Sequence, residues 1–176
     1  LTSPSVSPTL SVSADTMHVW LSESTKTKNR RLKPKFIMNK EDIKKFLPHR
    51  EPMLLIDEAV VDENNIAHCK YTIKEDEFFT RGHFPGNPIV PGVIQCEIMA
   101  QSCAILVKDD IPGHLTLYAG LDKVRFKNPV KPGDVCEITA RLIEKRGSLY
   151  FCAAKLEVGG KLCCKGELTF ALIPKE

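Results

Sequence analysis

Hydrophobic and polar positions follow two periods along this chain. Over residues 67–74, "AHCKYTIK", Ala67, Cys69, Tyr71 and Ile73 fall on alternate positions, which predicts a strand with one buried face. The stretches 115–126, 135–145, 149–158 and 161–173 read as four longer strands, and the aliphatic-rich "MLLIDEAVV" at 53–61 as another. Turn residues separate them: Asp62 to Asn65, "NPVKPGD", "RGS", and a two-residue "GG" at 159–160 that suits a tight hairpin.

The alternation stops between residues 92 and 107, where a nearly continuous apolar run, broken by Glu97 and Gln101, reads as a helix. A shorter helix is signalled by Asn39 as its cap, with Asp42 at the third helical position, Ile43, Phe46 and Leu47 on its apolar side, and Pro48 as its stop. One long apolar helix followed by four antiparallel strands is an α+β pattern. A helix apolar on most of its circumference must be enclosed, here by a curved antiparallel sheet, which is the hot-dog arrangement.

Residues 1–37 lack this periodicity and are rich in Ser and Thr. They read as a disordered leader or extension, with an organelle-targeting peptide as the alternative, ahead of a folded domain at 38–176. Charge divides at the same boundary. The formal net charge is +3, but the first 37 residues hold six basic side chains against Asp15 and Glu23, leaving 19 basic and 20 acidic residues beyond them. The folded part is near neutral, which argues against nucleic-acid binding through a global basic field. Its longest apolar stretch, Val93 to Val107, is too short to span a membrane; separately, a cytoplasmic protein is expected. The seven cysteines, without a C-x-x-C pair, read as reduced thiols, and no cluster has metal-ligand spacing.

Candidate chemistry sits where loop meets helix. "RGHFPGNPIVPG", residues 81–92, holds His83 among prolines and glycines, and histidine is the side chain best suited to moving a proton near neutral pH. Pro91, in the first helical turn, and Gly92 open the helix, and Glu97 and Gln101, four residues apart, share one face of it. An apolar setting favours the protonated form of Glu97, which makes it a usable acid. Free N–H groups at Gly92 and Val93 can receive a developing oxyanion. Singly, a loop histidine is solvated or bonds backbone, and a mid-helix glutamate faces solvent. Together, base, acid and oxyanion donor fit proton abstraction beside a carbonyl coupled to loss of a leaving group.

"LPHREPMLLIDEAV", "GHFPGNPIVPGVIQCEIMAQ" and "LDKVRFKNPVKPGD" resemble the three signature blocks of the β-hydroxyacyl-acyl carrier protein dehydratases of FabZ type, over about residues 38–174. The resemblance implies reversible dehydration of (3R)-hydroxyacyl thioesters to trans-2-enoyl thioesters in fatty acid elongation, without a cofactor. It implies that His83 takes the proton from C2, that Glu97 assists departure of the C3 hydroxyl, and that the Gly92 N–H binds the thioester carbonyl. It also implies a homodimer, with His83 and Glu97 of different subunits at one site, assembled as a trimer of dimers, and acyl carrier protein as the partner that delivers substrate. A dehydratase that also isomerises, a hot-dog thioesterase and a non-catalytic acyl-carrier-binding scaffold remain the alternatives.

Further residues carry weaker expectations. Ile94, Ile98 and Phe126 are expected to line or approach an acyl tunnel, with Tyr118 at its mouth, and each has an ordinary core reading beside it. Arg125, Lys127 and Lys131 alternate as the wet face of a strand and its turn, or as a docking patch for the acidic carrier protein. His49 and Arg50 read as structural or interface residues, and His68 and His114 as solvated.

Overall fold

The computed structural model describes residues 37–175, so the leader expected over residues 1–37 lies outside them but for Ile37. In chain order the elements are β1 (Ile37–Asn39), α1 (Lys40–Ile43), β2 (Glu58–Val61), β3 (Ile66–Thr72), α2 (Gly92–Ala104), a 3-10 turn (Ile105–Val107), β4 (His114–Phe126), β5 (Val135–Arg146), β6 (Leu149–Val158) and β7 (Lys161–Pro174). All seven strands form one sheet in the order β1-β2-β3-β5-β6-β7-β4, each pair antiparallel.

Asn39 caps α1 as expected: its Oδ1 accepts from the Asp42 N–H at 3.0 Å, and its own N–H donates to Asp42 Oδ2 at 3.3 Å. Such a cap contributes about 1 kcal/mol to a helix of one turn that could not form alone. The β6–β7 hairpin turns on Gly159 and Gly160, both at positive φ (54° and 75°), the conformation a two-residue primed turn demands.

The sheet wraps α2, which packs on β3, β5, β6 and β7. Ile98, Met99 and Cys103 are completely enclosed and share one cluster with Ile138, Leu156, Cys164 and Leu168 from the strands. The α+β hot-dog expectation therefore holds, as does the alternation of β3, whose Ala67, Cys69, Tyr71 and Ile73 are all buried. All seven cysteines are free and buried. Among the described residues no helix is long and apolar enough to cross a membrane.

Three expectations need correction. Only Glu58–Val61 of the predicted 53–61 strand is paired in the sheet. Leu54, Leu55 and Ile56 are buried, but the Leu55 N–H donates to Gln101 Oε1 (2.8 Å) and Met53 O accepts from Gln101 Nε2 (2.8 Å), so this backbone is satisfied by a helix side chain. The predicted helix over 92–107 is regular only to Ala104 and tightens into the 3-10 turn. Pro91 is the N-cap of α2, with ψ at 141°, rather than a residue of its first turn.

Candidate active site

His83 is placed by a chain of turns between β3 and α2. Glu77 is buried and accepts from the Tyr71 hydroxyl at 2.6 Å, and its carbonyl receives the Thr80 N–H and hydroxyl. The His83 N–H then donates to Thr80 O at 3.1 Å, and the Asn87 N–H to Phe84 O at 2.9 Å. Phe84 (φ 66°) and Gly86 (φ 84°) both adopt left-handed backbone, and for Phe84 that is a strained state held by its surroundings. The His83 Nδ1 lies 3.0 Å from Ile89 O. A carbonyl can only accept, so Nδ1 carries the proton and Nε2 keeps its lone pair: the tautomer of a base.

Glu97 projects from the second turn of α2 into a cavity of about 330 Å³, whose wall includes Leu47, His49, Met53, Ala100, Gln101, Ala104, Thr116, Leu117, Tyr118 and Phe170. Its Oε1 accepts from Gln101 Nε2 at 2.8 Å and lies 3.4 Å from His49 Nε2. Gln101, itself anchored on Met53 and Leu55, therefore fixes the carboxylate. Burial pushes the Glu97 carboxyl up, but the hydrogen bonds from His49 and Gln101 outweigh it, and the group sits below its ordinary value. The expectation that the apolar setting keeps Glu97 protonated is thus overturned by two donors it did not include.

At the start of α2 the first N–H groups precede any intrahelical acceptor. Gly92 lies under the ring of Phe126, so close that a Cβ here would fall 2.8 Å from the ring's tip. Val93 is 72% exposed beside it.

The expected site residues divide between these places. Tyr118 lines the Glu97 cavity, and its hydroxyl donates to Cys96 O at 2.8 Å. Ile94, Ile98 and Phe126 are not among the cavity's lining residues: Ile94 packs against the core, Ile98 is inside it, and Phe126 covers Gly92. His83 does not line the Glu97 cavity either. Arg125, Lys127 and Lys131 are all exposed, at and just beyond the end of β4 that carries Phe126. His68 is not simply solvated, since its Nε2 lies 3.0 Å from Asp62 Oδ2, and His114 Nδ1 lies 3.2 Å from Pro112 O. His49, read as structural or interfacial, stands at the carboxylate itself. No group of three or more His, Cys, Asp or Glu among the described residues is arranged to hold a metal ion.

A sequence model of the ApeI-like dehydratases matches residues 59–167. A relative from Clostridium perfringens is 43% identical over 140 residues, covering 77% of this chain and 99% of its own. Relatives from Streptococcus sanguinis (45% over 133 residues, 74% of this chain and 94% of theirs) and Streptococcus uberis (46% over 136, 75% and 96%) are as similar. All three are named 3-hydroxyacyl-[acyl-carrier-protein] dehydratase FabZ. This chain belongs to that dehydratase family. The dehydratase shares its fold with the ApeI:P dehydratase heterocomplex of Xenorhabdus doucetiae, at a TM-score of 0.65 and 22% identity over 76% of this chain and 91% of that one. An uncharacterized protein from Pyrococcus horikoshii gives 0.54 at 18% identity, over 72% and 89%.

Proposed function

We propose that this dehydratase interconverts (3R)-3-hydroxyacyl-[acyl carrier protein] and trans-2-enoyl-[acyl carrier protein] in fatty acid elongation, with His83 as base and Glu97 as acid. The observation that carries the reading is that a FabZ family member presents both a histidine whose Nδ1 is held by the Ile89 carbonyl and, separately, a carboxylate anchored on a cavity wall. In the forward direction His83 Nε2 takes the C2 proton as the thioester carbonyl gains charge, which the free N–H groups of Gly92 and Val93 stabilise. The C3–O bond breaks, and protonated Glu97 gives its proton to the departing hydroxide, releasing water. His83 then returns its proton to solvent and Glu97 regains one. An apolar acyl chain entering the cavity deepens the burial of Glu97, which pushes its carboxyl back up toward the form that donates.

The working unit is a homodimer, further assembled as a trimer of dimers, with His83 of one subunit and Glu97 of the other at each site. Two features support this. His83 stands apart from the cavity that Glu97 lines. β4 is also an edge strand that leaves Leu117 and Leu121 about half exposed, a surface suited to a second copy. Arg125, Lys127 and Lys131 are the docking patch for the acidic carrier protein, close to the helix start where its thioester must arrive. Residues 38–176 form the catalytic domain and 1–37 a leader, in the cytoplasm, with organelle import as the alternative.

The purified protein, given a 3-hydroxyacyl thioester, should form enoyl product reversibly, and His83→Ala and Glu97→Gln should each abolish turnover with the fold intact. Near wild-type turnover in either variant sinks the assignment. Release of free thiol would point to a thioesterase, and a cis-3-enoyl product to an isomerising dehydratase.

A further inference from the structure

His49 touches the carboxylate assigned to the chemistry, from a segment far from it in sequence. The chain leaves α1, turns at Pro48 and carries the His49 ring into the cavity wall. Arg50 ties that turn down, its guanidinium donating to the carbonyls of Lys44 (3.1 Å), Leu47 (2.9 Å) and His49 (2.7 Å). The backbone that carries the ring is therefore held by contacts that do not involve Glu97.

The two ring nitrogens differ. Nδ1 is buried without a hydrogen-bond partner among the described residues, whereas Nε2 lies 3.4 Å from Glu97 Oε1. A buried N–H with no acceptor is costly, so Nδ1 is the nitrogen that goes without the proton and Nε2 the one that donates. Gln101 donates to the same oxygen at 2.8 Å. Both donors converge on Oε1, and Oε2 takes neither. At 3.4 Å the His49 contact is long, as hydrogen bonds in substrate-free sites often are before they tighten in the complex.

We infer that His49 is a positioning residue for Glu97: with Gln101 it pins Oε1 and fixes the carboxyl plane, so that Oε2 is the oxygen presented to the substrate hydroxyl. The inference rests on the reading of Glu97 as the acid. The titratable groups facing Glu97 are His49 from the segment after α1, Tyr118 from β4 and Cys96 from α2 itself. Of these, only His49 presents a donor to the carboxylate.

The test uses the full chain and four variants. Glu97→Gln removes the acid and identifies the Glu97 signal in a ¹³C carboxyl titration. His49→Leu removes the donor, His49→Asn keeps an amide too short to reach Glu97, and His49→Gln keeps an amide N–H near the place of Nε2. His49→Leu and His49→Asn should lower kcat about ten- to a hundredfold with KM nearly unchanged. Both should move the Glu97 titration to higher pH, while His49→Gln recovers most of kcat. If His49→Leu does not fold, the contrast between Asn and Gln decides alone. Equal kcat in the Asn and Gln variants, or a Glu97 titration that does not move in the variants lacking the donor, overturns the positioning role. Wild-type turnover in Glu97→Gln would instead overturn the reading of Glu97 itself.

Discussion

Gln101 Nε2 donates to Glu97 Oε1 at 2.8 Å, one helical turn away, while the same side chain bonds Met53 O and the Leu55 N–H. One amide thus couples the candidate acid to a stretch of buried backbone that has no strand partner. Gln101→Leu should leave that carbonyl and that N–H buried and unsatisfied, costing about 2–4 kcal/mol in denaturant unfolding. It should also raise the Glu97 carboxyl, since one of the donors that lowers it is gone. A variant as stable as wild type would mean that water replaces the amide freely.

Gly92 and Phe126 make the closest approach at the helix start. Gly92→Ala should push the ring outward, which the half-exposed side chain can accommodate, so the melting temperature should change little. Turnover should fall about tenfold, because the N–H groups beside the ring lose their alignment. Adding Phe126→Ala should restore part of it, and kcat unaffected by Gly92→Ala would remove the helix start from the mechanism.

Asp62 sets an acid limit on stability. Burial raises its carboxyl, but hydrogen bonds from His68 and from the Ile66 and Asn64 N–H groups outweigh this and hold it below its ordinary 3.8. A carboxyl depressed by folding stabilises the protein above its unfolded pKa, and the contribution is lost as pH falls through the folded one. Asp62→Asn should therefore be less stable than wild type at pH 7, with the gap closing below about pH 4. A gap constant from pH 7 to pH 3 would contradict the pairing.

The Cys69 and Cys136 thiols should be inert while the protein is folded. Burial pushes Cys69 and Cys136 each up to about 12, so almost no thiolate is present at pH 8. Iodoacetamide should leave both unmodified in the native protein and label them in denaturant, read by peptide mass. Rapid native labelling would show that the sheet opens over α2.

The sequence was most legible where structure is local. Asn39 and Asp42 announce their cap within four residues, Gly159 and Gly160 their hairpin, and β3 its buried face. Residues 53–55 misled because their pairing partner is Gln101, 46 residues from Leu55 along the chain, and an aliphatic run looks the same beside a strand or a helix side chain. The site behaved alike. His83 and Glu97 stood out through their motif, but His49 meets Glu97 only through the fold. The face shared by Glu97 and Gln101 extends to Ala100 and Ala104 at the i, i+3, i+4, i+7 spacing of a helix, and that face, not the Ile94–Ile98 side, lines the cavity.

Whether His83 of one copy and Glu97 of another make one site is decided by mixing inactive chains. His83→Ala and Glu97→Gln chains, each inactive alone, are co-refolded and assayed on a 3-hydroxyacyl thioester. Random pairing makes half of the dimers mixed, each with one intact site, so about a quarter of wild-type turnover should return. Mixed dimers that form and yet stay inactive would contradict the account.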